Sequence, residues 1–168
     1  FEGFTVNYNE KSGNDYDHRG HGFLIYGGSS FDRTRLNNFT NIVASHNSET
    51  GVYITNLDKC YGNDICDGDD RLQNKFRNIT STFNNQGIYF QYVMEEGGGI
   101  YDSTVSNNTE SGLYVRGDDG GGEIDGGVYS YNRIGIYVRD DNNLINNVTA
   151  SHNTEYGIYV TGDDNEIY

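Results

Sequence analysis

A four-residue phrase, glycine followed by an aliphatic, a tyrosine and a second aliphatic residue, recurs along this chain and restricts its fold more than any other feature. It reads Gly51-Val52-Tyr53-Ile54, Gly87-Ile88-Tyr89-Phe90, Gly112-Leu113-Tyr114-Val115, Gly135-Ile136-Tyr137-Val138 and Gly157-Ile158-Tyr159-Val160, with a degenerate copy at Gly22-Phe23-Leu24-Ile25. Successive glycines are 29, 36, 25, 23 and 22 residues apart, so the repeat tightens toward the C-terminus and carries insertions toward the N-terminus. Fixed-period self-similarity is the mark of a solenoid, in which each unit buries its apolar face only against the next.

Two further phrases share the period. One ends in asparagine: Val43 to Asn47, Thr80 to Asn84, Thr104 to Asn108, Val128 to Asn132 and Thr149 to Asn153, with Thr5 to Asn9 at the start. The other places an apolar residue ahead of it: Phe39, Phe76, Ile100, Ile124, Ile145 and finally Ile167. Three short apolar segments per repeat, separated by turn residues, predict six coils of three strands each and an all-β, three-sided solenoid.

Side chains alternate across a strand, so Ile158 and Val160 point inward only if Tyr159 points outward, and likewise in every coil. The strand phase therefore predicts an outward column of Tyr53, Tyr89, Tyr114, Tyr137 and Tyr159 over a buried aliphatic column. The asparagines ending the second phrase are expected at a bend, adopting left-handed backbone angles and bonding amide to amide between coils.

We expect one β-helix domain over residues 1–168, with inserted loops at 10–21 and 55–74. The pattern is still in phase at Phe4 and Ile167, which leads us to expect a segment of a longer solenoid or a unit that stacks end to end on copies of itself, as in a filament.

The phrase Asn147-Val148-Thr149-Ala150-Ser151-His152-Asn153, followed by Gly157-Ile158-Tyr159-Val160 and Asn165-Glu166-Ile167, resembles the right-handed parallel β-helix repeat family. That family includes polysaccharide lyases, alginate (mannuronan) epimerases and nitrous-oxide-accessory-type surface proteins. The resemblance implies the fold across the whole chain and leaves function open, because this fold hosts enzymes, adhesins and structural proteins alike.

Charge narrows the partners. There are 25 Asp plus Glu against 11 Lys plus Arg, a net charge of −14. Such a surface repels nucleic acid and anionic lipid, and no apolar run is long enough for a membrane helix. Polysaccharides, cations and other copies of the chain are the expected partners, at an extracellular or cell-surface location. Cys60 and Cys66, with five residues between them in a polar stretch, suit a disulfide, and sequons at Asn38, Asn78, Asn107 and Asn147 suit a glycoprotein.

Chemistry has one compact candidate, the loop holding Tyr16, Asp17, His18 and His21. Proton abstraction beside a uronate carboxylate needs a charge neutraliser, a base and a Tyr or His acid, and these residue types occur together there. Tyr16-Asp17-His18 resembles a compressed Tyr-Gly-Phe-Asp-Pro-His motif of the alginate epimerases, lacking its Gly, Phe and Pro. An epimerase or lyase is accordingly the alternative to a structural or adhesive protein. The tyrosine column offers glycan- or partner-binding surface, since a phenol joins an apolar face to a polar tip. Asp118, Asp141 and Asp163 stack in one expected column, where calcium would relieve repulsion between carboxylates. His46 and His152 share a column four coils apart, too far to share a metal.

Overall fold

A computed structural model describes residues 2–7, 20–26, 37–55, 74–91, 93, 97–117 and 121–168. The first coil contributes β1 (Thr5–Asn7) and β2 (Phe23–Tyr26); the second β3 (Asn38–Thr40), β4 (Val43–Ser45) and β5 (Thr50–Thr55); the third β6 (Lys75–Arg77), β7 (Thr80–Thr82) and β8 (Gln86–Gln91). Then follow β9 (Gly99–Tyr101), β10 (Thr104–Ser106) and β11 (Ser111–Arg116), and after them β12 (Glu123–Asp125), β13 (Val128–Ser130) and β14 (Ile134–Arg139). The last strands are β15 (Leu144–Asn146), β16 (Tyr156–Val160) and β17 (Glu166–Ile167).

Among the described residues every pairing is parallel, and the strands form three sheets. The first runs β1-β4-β7-β10-β13, the second β2-β5-β8-β11-β14-β16 and the third β3-β6-β9-β12-β15-β17. The three-strand coil read from the repeat is thus present, and the fold is a right-handed parallel β-helix.

The core consists of columns. Phe39, Phe76, Ile100, Ile124 and Ile145 point inward from the third sheet and are 0–1% exposed. Phe39 and Phe76 stack face to face at 4.8 Å. From the second sheet Val52, Ile88, Leu113 and Ile136 are fully buried, whereas Ile158 is half-buried. Burying a side chain of this size contributes about 1.5–3 kcal/mol, so the stacked columns supply the main cohesion.

Tyr129 departs from the small residues that otherwise point inward from the first sheet, among them Val6, Ala44, Ser81 and Val105. It is 0% exposed and its hydroxyl has no hydrogen-bond partner. Burial pushes the phenol pKa well above its usual value.

The asparagine ladder exists, with a corrected geometry. The left-handed residue at each bend is the one before the asparagine: His46 (φ 56°), Phe83 (57°), Asn107 (57°), Tyr131 (58°) and His152 (55°). The asparagines instead turn inward and link coils. Asn84 Oδ1 accepts both the backbone N–H and the amide of Asn47, each at 2.9 Å. Asn108 Oδ1 accepts from Asn84 at 3.0 and 3.2 Å, and Asn132 Oδ1 from Asn108 at 3.0 Å twice. The backbone N–H of Asn132 donates to Asn153 Oδ1 at 2.9 Å.

The glycine of the repeated phrase follows from this ladder. A Cβ at Gly112 would stand 2.6 Å from the Gly135 carbonyl and 2.7 Å from Asn132 Nδ2. Gly51, Gly87 and Gly135 meet the same obstruction. Glycine is required here for close approach rather than for an unusual φ.

Candidate functional site

The five tyrosines lie in register on the outer face of the second sheet, each half-buried except Tyr159, which is exposed. Ring centroids are 5.0 Å apart from Tyr53 to Tyr89, 4.9 Å to Tyr114, 4.7 Å to Tyr137 and 5.0 Å to Tyr159. The first three pairs are parallel within 8° and the last within 28°. His21 leans on Tyr53 at 5.0 Å and Tyr156 stacks on Tyr159 at 4.9 Å. Each ring covers its neighbour's face, so the column offers a partner ring edges and a file of hydroxyls at the coil spacing.

The adjoining outward column comprises Tyr26, Thr55, Gln91, Arg116 and Arg139 in register. Gln91 Oε1 accepts the Tyr53 hydroxyl at 3.2 Å. Burial and the neighbouring Tyr89 raise the Tyr53 pKa. Arg116 and Arg139 are exposed one coil apart, concentrating positive charge beside the phenols of an acidic chain.

Of the proposed catalytic group, Tyr16, Asp17 and His18 lie outside the described residues, as do Cys60, Cys66 and Asp118. His21 is described: its Nδ1 accepts the Thr50 backbone N–H at 3.2 Å, and its ring caps the tyrosine column. That Nδ1 is therefore an acceptor that locks the ring against the second coil.

Asp141 and Asp163 stand one coil apart, and Asp141 Oδ1 accepts the Asp163 backbone N–H at 2.7 Å. Backbone pairing thus disposes of part of the expected carboxylate repulsion. Among the described residues no three His, Cys, Asp or Glu side chains converge as a metal site.

Asn38, Asn78, Asn107 and Asn147 are all exposed. The Asn78 amide donates to Asn41 at 2.7 Å and that of Asn147 to Asp125 at 3.1 Å. The Asn107 amide turns back on Ser106 Oγ at 3.2 Å.

One group escaped the sequence reading. On the third sheet the Arg77 guanidinium lies 4.3 Å above the centre of the Tyr101 ring. Burial and a hydrogen bond to the Glu123 carboxylate push the Tyr101 pKa up to about 12. The strand phase contained the signal, since Arg77, Tyr101 and Asp125 share an outward column. Such a phenol is a hydrogen-bond donor at neutral pH and a poor base.

Residues 65–168, more than half of the chain, match the model of the right-handed beta helix region. No curated protein and no solved structure matches the chain. The in-register columns, the parallel three-sheet architecture and this match lead to one conclusion: the chain belongs to the right-handed β-helix family.

Proposed function

We propose that the chain is an extracellular structural and adhesive β-helix that grips an extended glycan along its second sheet. The observation that carries this reading is the unbroken tyrosine column, with Gln91, Arg116 and Arg139 alongside. Mutual stacking holds the rings in fixed orientation, so the hydroxyls are ordered before a ligand arrives and little side-chain entropy is lost on binding. A repeating polymer lying along the coil axis meets a repeating row of donors and acceptors. Affinity then accumulates over coils rather than residing in one pocket.

The test is binding of linear neutral polysaccharides to the parent and to the triple variant Tyr89→Phe, Tyr114→Phe, Tyr137→Phe, which keeps the ring stack and deletes three hydroxyls. At about 0.5–1.5 kcal/mol for each hydrogen bond, affinity should fall tenfold or more. Equal binding by the triple variant, or none by the parent, rejects the tyrosine column as the grip.

A further inference from the structure

The corner between the first and second sheets carries its own outward column, formed by the left-handed residues His46, Phe83, Asn107, Tyr131 and His152. His46 stacks on Phe83 at 4.9 Å and Tyr131 on His152 at 4.8 Å. Asn107, in the coil between these pairs, has no ring. Phe83 and Tyr131 therefore face each other across two inter-strand steps, a gap of about 9.6 Å. They are 53% and 56% exposed. Rings elsewhere in this molecule stack 4.7–5.0 Å apart, so the gap is one ring layer thick. Its floor is the Asn107 carboxamide, drawn back onto Ser106 Oγ.

Backbone economy does not require this arrangement. Asparagine adopts the left-handed conformation at less cost than Phe or Tyr, and Asn107 shows that the bend closes with it. Bulky residues held in that region are a reason to look for function. Stacking on the two histidines occupies one face of Phe83 and one of Tyr131, leaving the faces toward the gap.

We propose that the slot between Phe83 and Tyr131, floored by Asn107, binds one neutral pyranose ring of a glycan. The C–H faces of the sugar lie against the two aromatic faces, and its hydroxyls meet the amide, which both donates and accepts. A partner protein's phenylalanine side chain fits the thickness but buries the amide without a hydrogen bond. A chain of net charge −14 disfavours an anionic ring. The slot shares the ligand class of the preceding reading but none of its residues.

Calorimetric titration of the whole chain, produced without N-glycosylation so that the Asn107 carboxamide of its sequon is free, with linear oligosaccharides of glucose, mannose, galactose and N-acetylglucosamine tests it. At least one of them should bind. Asn107→Phe, which completes the ring column, should weaken that binding at least tenfold. Phe83→Leu with Tyr131→Leu should do the same by removing the flat faces while keeping apolar bulk, and it serves if Asn107→Phe fails to fold. The triple Tyr→Phe variant of the second sheet should bind in the slot as the parent does. Undiminished binding by a folded slot variant, or no binding of any of the four series by the parent, overturns the proposal. Loss confined to the Tyr→Phe variant overturns the slot and leaves the tyrosine column standing.

Discussion

Two corners of the same coil have been treated differently. Between the first and second sheets, from β4 onward, the chain turns through residues 46–49, 83–85, 107–110 and 131–133, nearly constant in length. Between the second and third sheets it runs through 27–37, 56–74, 92–98, 117–122, 140–143 and 161–165, so length varies widely. The amide ladders differ accordingly. The first corner holds Asn47, Asn84, Asn108, Asn132 and Asn153 without a gap. At the other, the equivalent column reads Asn37, Asn74, Gly98, Gly122, Asn143 and Asn165, as the inter-coil backbone bonds show. Asn37 bonds to Asn74 and Asn143 to Asn165, but the two glycines break the chain of amides. From β4 onward, where the amides link coil to coil without a break, the first corner keeps its length, whereas the corner with the interrupted ladder varies.

The largest test of this contrast is Asn108→Ala against Asn165→Ala. Removing Asn108 strands the buried backbone N–H of Asn84 and takes one acceptor from its amide, which keeps the Ala44 carbonyl and Ser81 Oγ; it also takes a donor from Asn132 Oδ1 and from the Ser81 carbonyl. Buried groups left unpaired in this way should destabilise the fold by about 3–5 kcal/mol. Asn165 is half-buried, and its Oδ1 accepts only the Asn143 backbone N–H among the bonds described, so its loss should cost about 1 kcal/mol. Urea denaturation of both variants measures the difference, and equal costs would abolish the distinction between the corners.

A smaller effect is expected from inserting four Gly or Ser residues. Between Asp141 and Asn142 the insertion lengthens a corner that already varies: doubling a loop costs only about 0.6 kcal/mol, and with the one backbone bond displaced there, Asn142 N–H to the Asp163 carbonyl, the loss is about 1 kcal/mol. Between Asn132 and Arg133 it displaces the bonds from Arg133 N–H to the Glu110 carbonyl and from Glu155 N–H to the Arg133 carbonyl. It also pulls apart the Arg133 contacts to Glu110 and Glu155. A loss of about 2 kcal/mol follows from the backbone bonds, the exposed ion pairs adding little. The pair of denaturation midpoints decides it, and the reverse order would contradict the assignment of the first corner as the rigid one.

The strand phase was legible because alternation with period two leaves one assignment that buries Ile88, Leu113 and Ile136, and Tyr89, Tyr114 and Tyr137 then have to face outward. The first ladder was legible as recurrence, but its backbone logic was not. An asparagine at a bend suggests an αL residue, and only the geometry shows His46, Phe83 and Tyr131 taking that role. The second ladder escaped notice because Gly98 and Gly122 remove the recurring letter. The Arg77, Tyr101 and Glu123 group was hidden for a related reason. Its members come from three coils, and segments of unequal length obscure which residues share a column until the register is known. The slot at Asn107 is likewise a relation between coils rather than a motif along the chain.

The interrupted corner can be repaired, and that is the finest test of the comparison. Asn143 is 1% exposed, yet its Oδ1 has no hydrogen-bond partner. In the ladder geometry that oxygen accepts from the amide one coil earlier, where Gly122 has none to give. Gly122 does not take a positive φ, so a side chain there meets no left-handed strain. Asn74 and Asn143 show that the column accommodates a carboxamide while remaining buried. Gly122→Asn should therefore supply the missing donor to Asn143 and reduce the freedom of the unfolded chain, raising stability by about 0.5–1.5 kcal/mol. The control is Gly122→Ala, which has the same unfolded-state effect without the amide, so the difference between the two variants reports the ladder bond alone. If both variants stabilise equally, the gap in the ladder is not a missing bond, and variable segment length alone distinguishes the two corners.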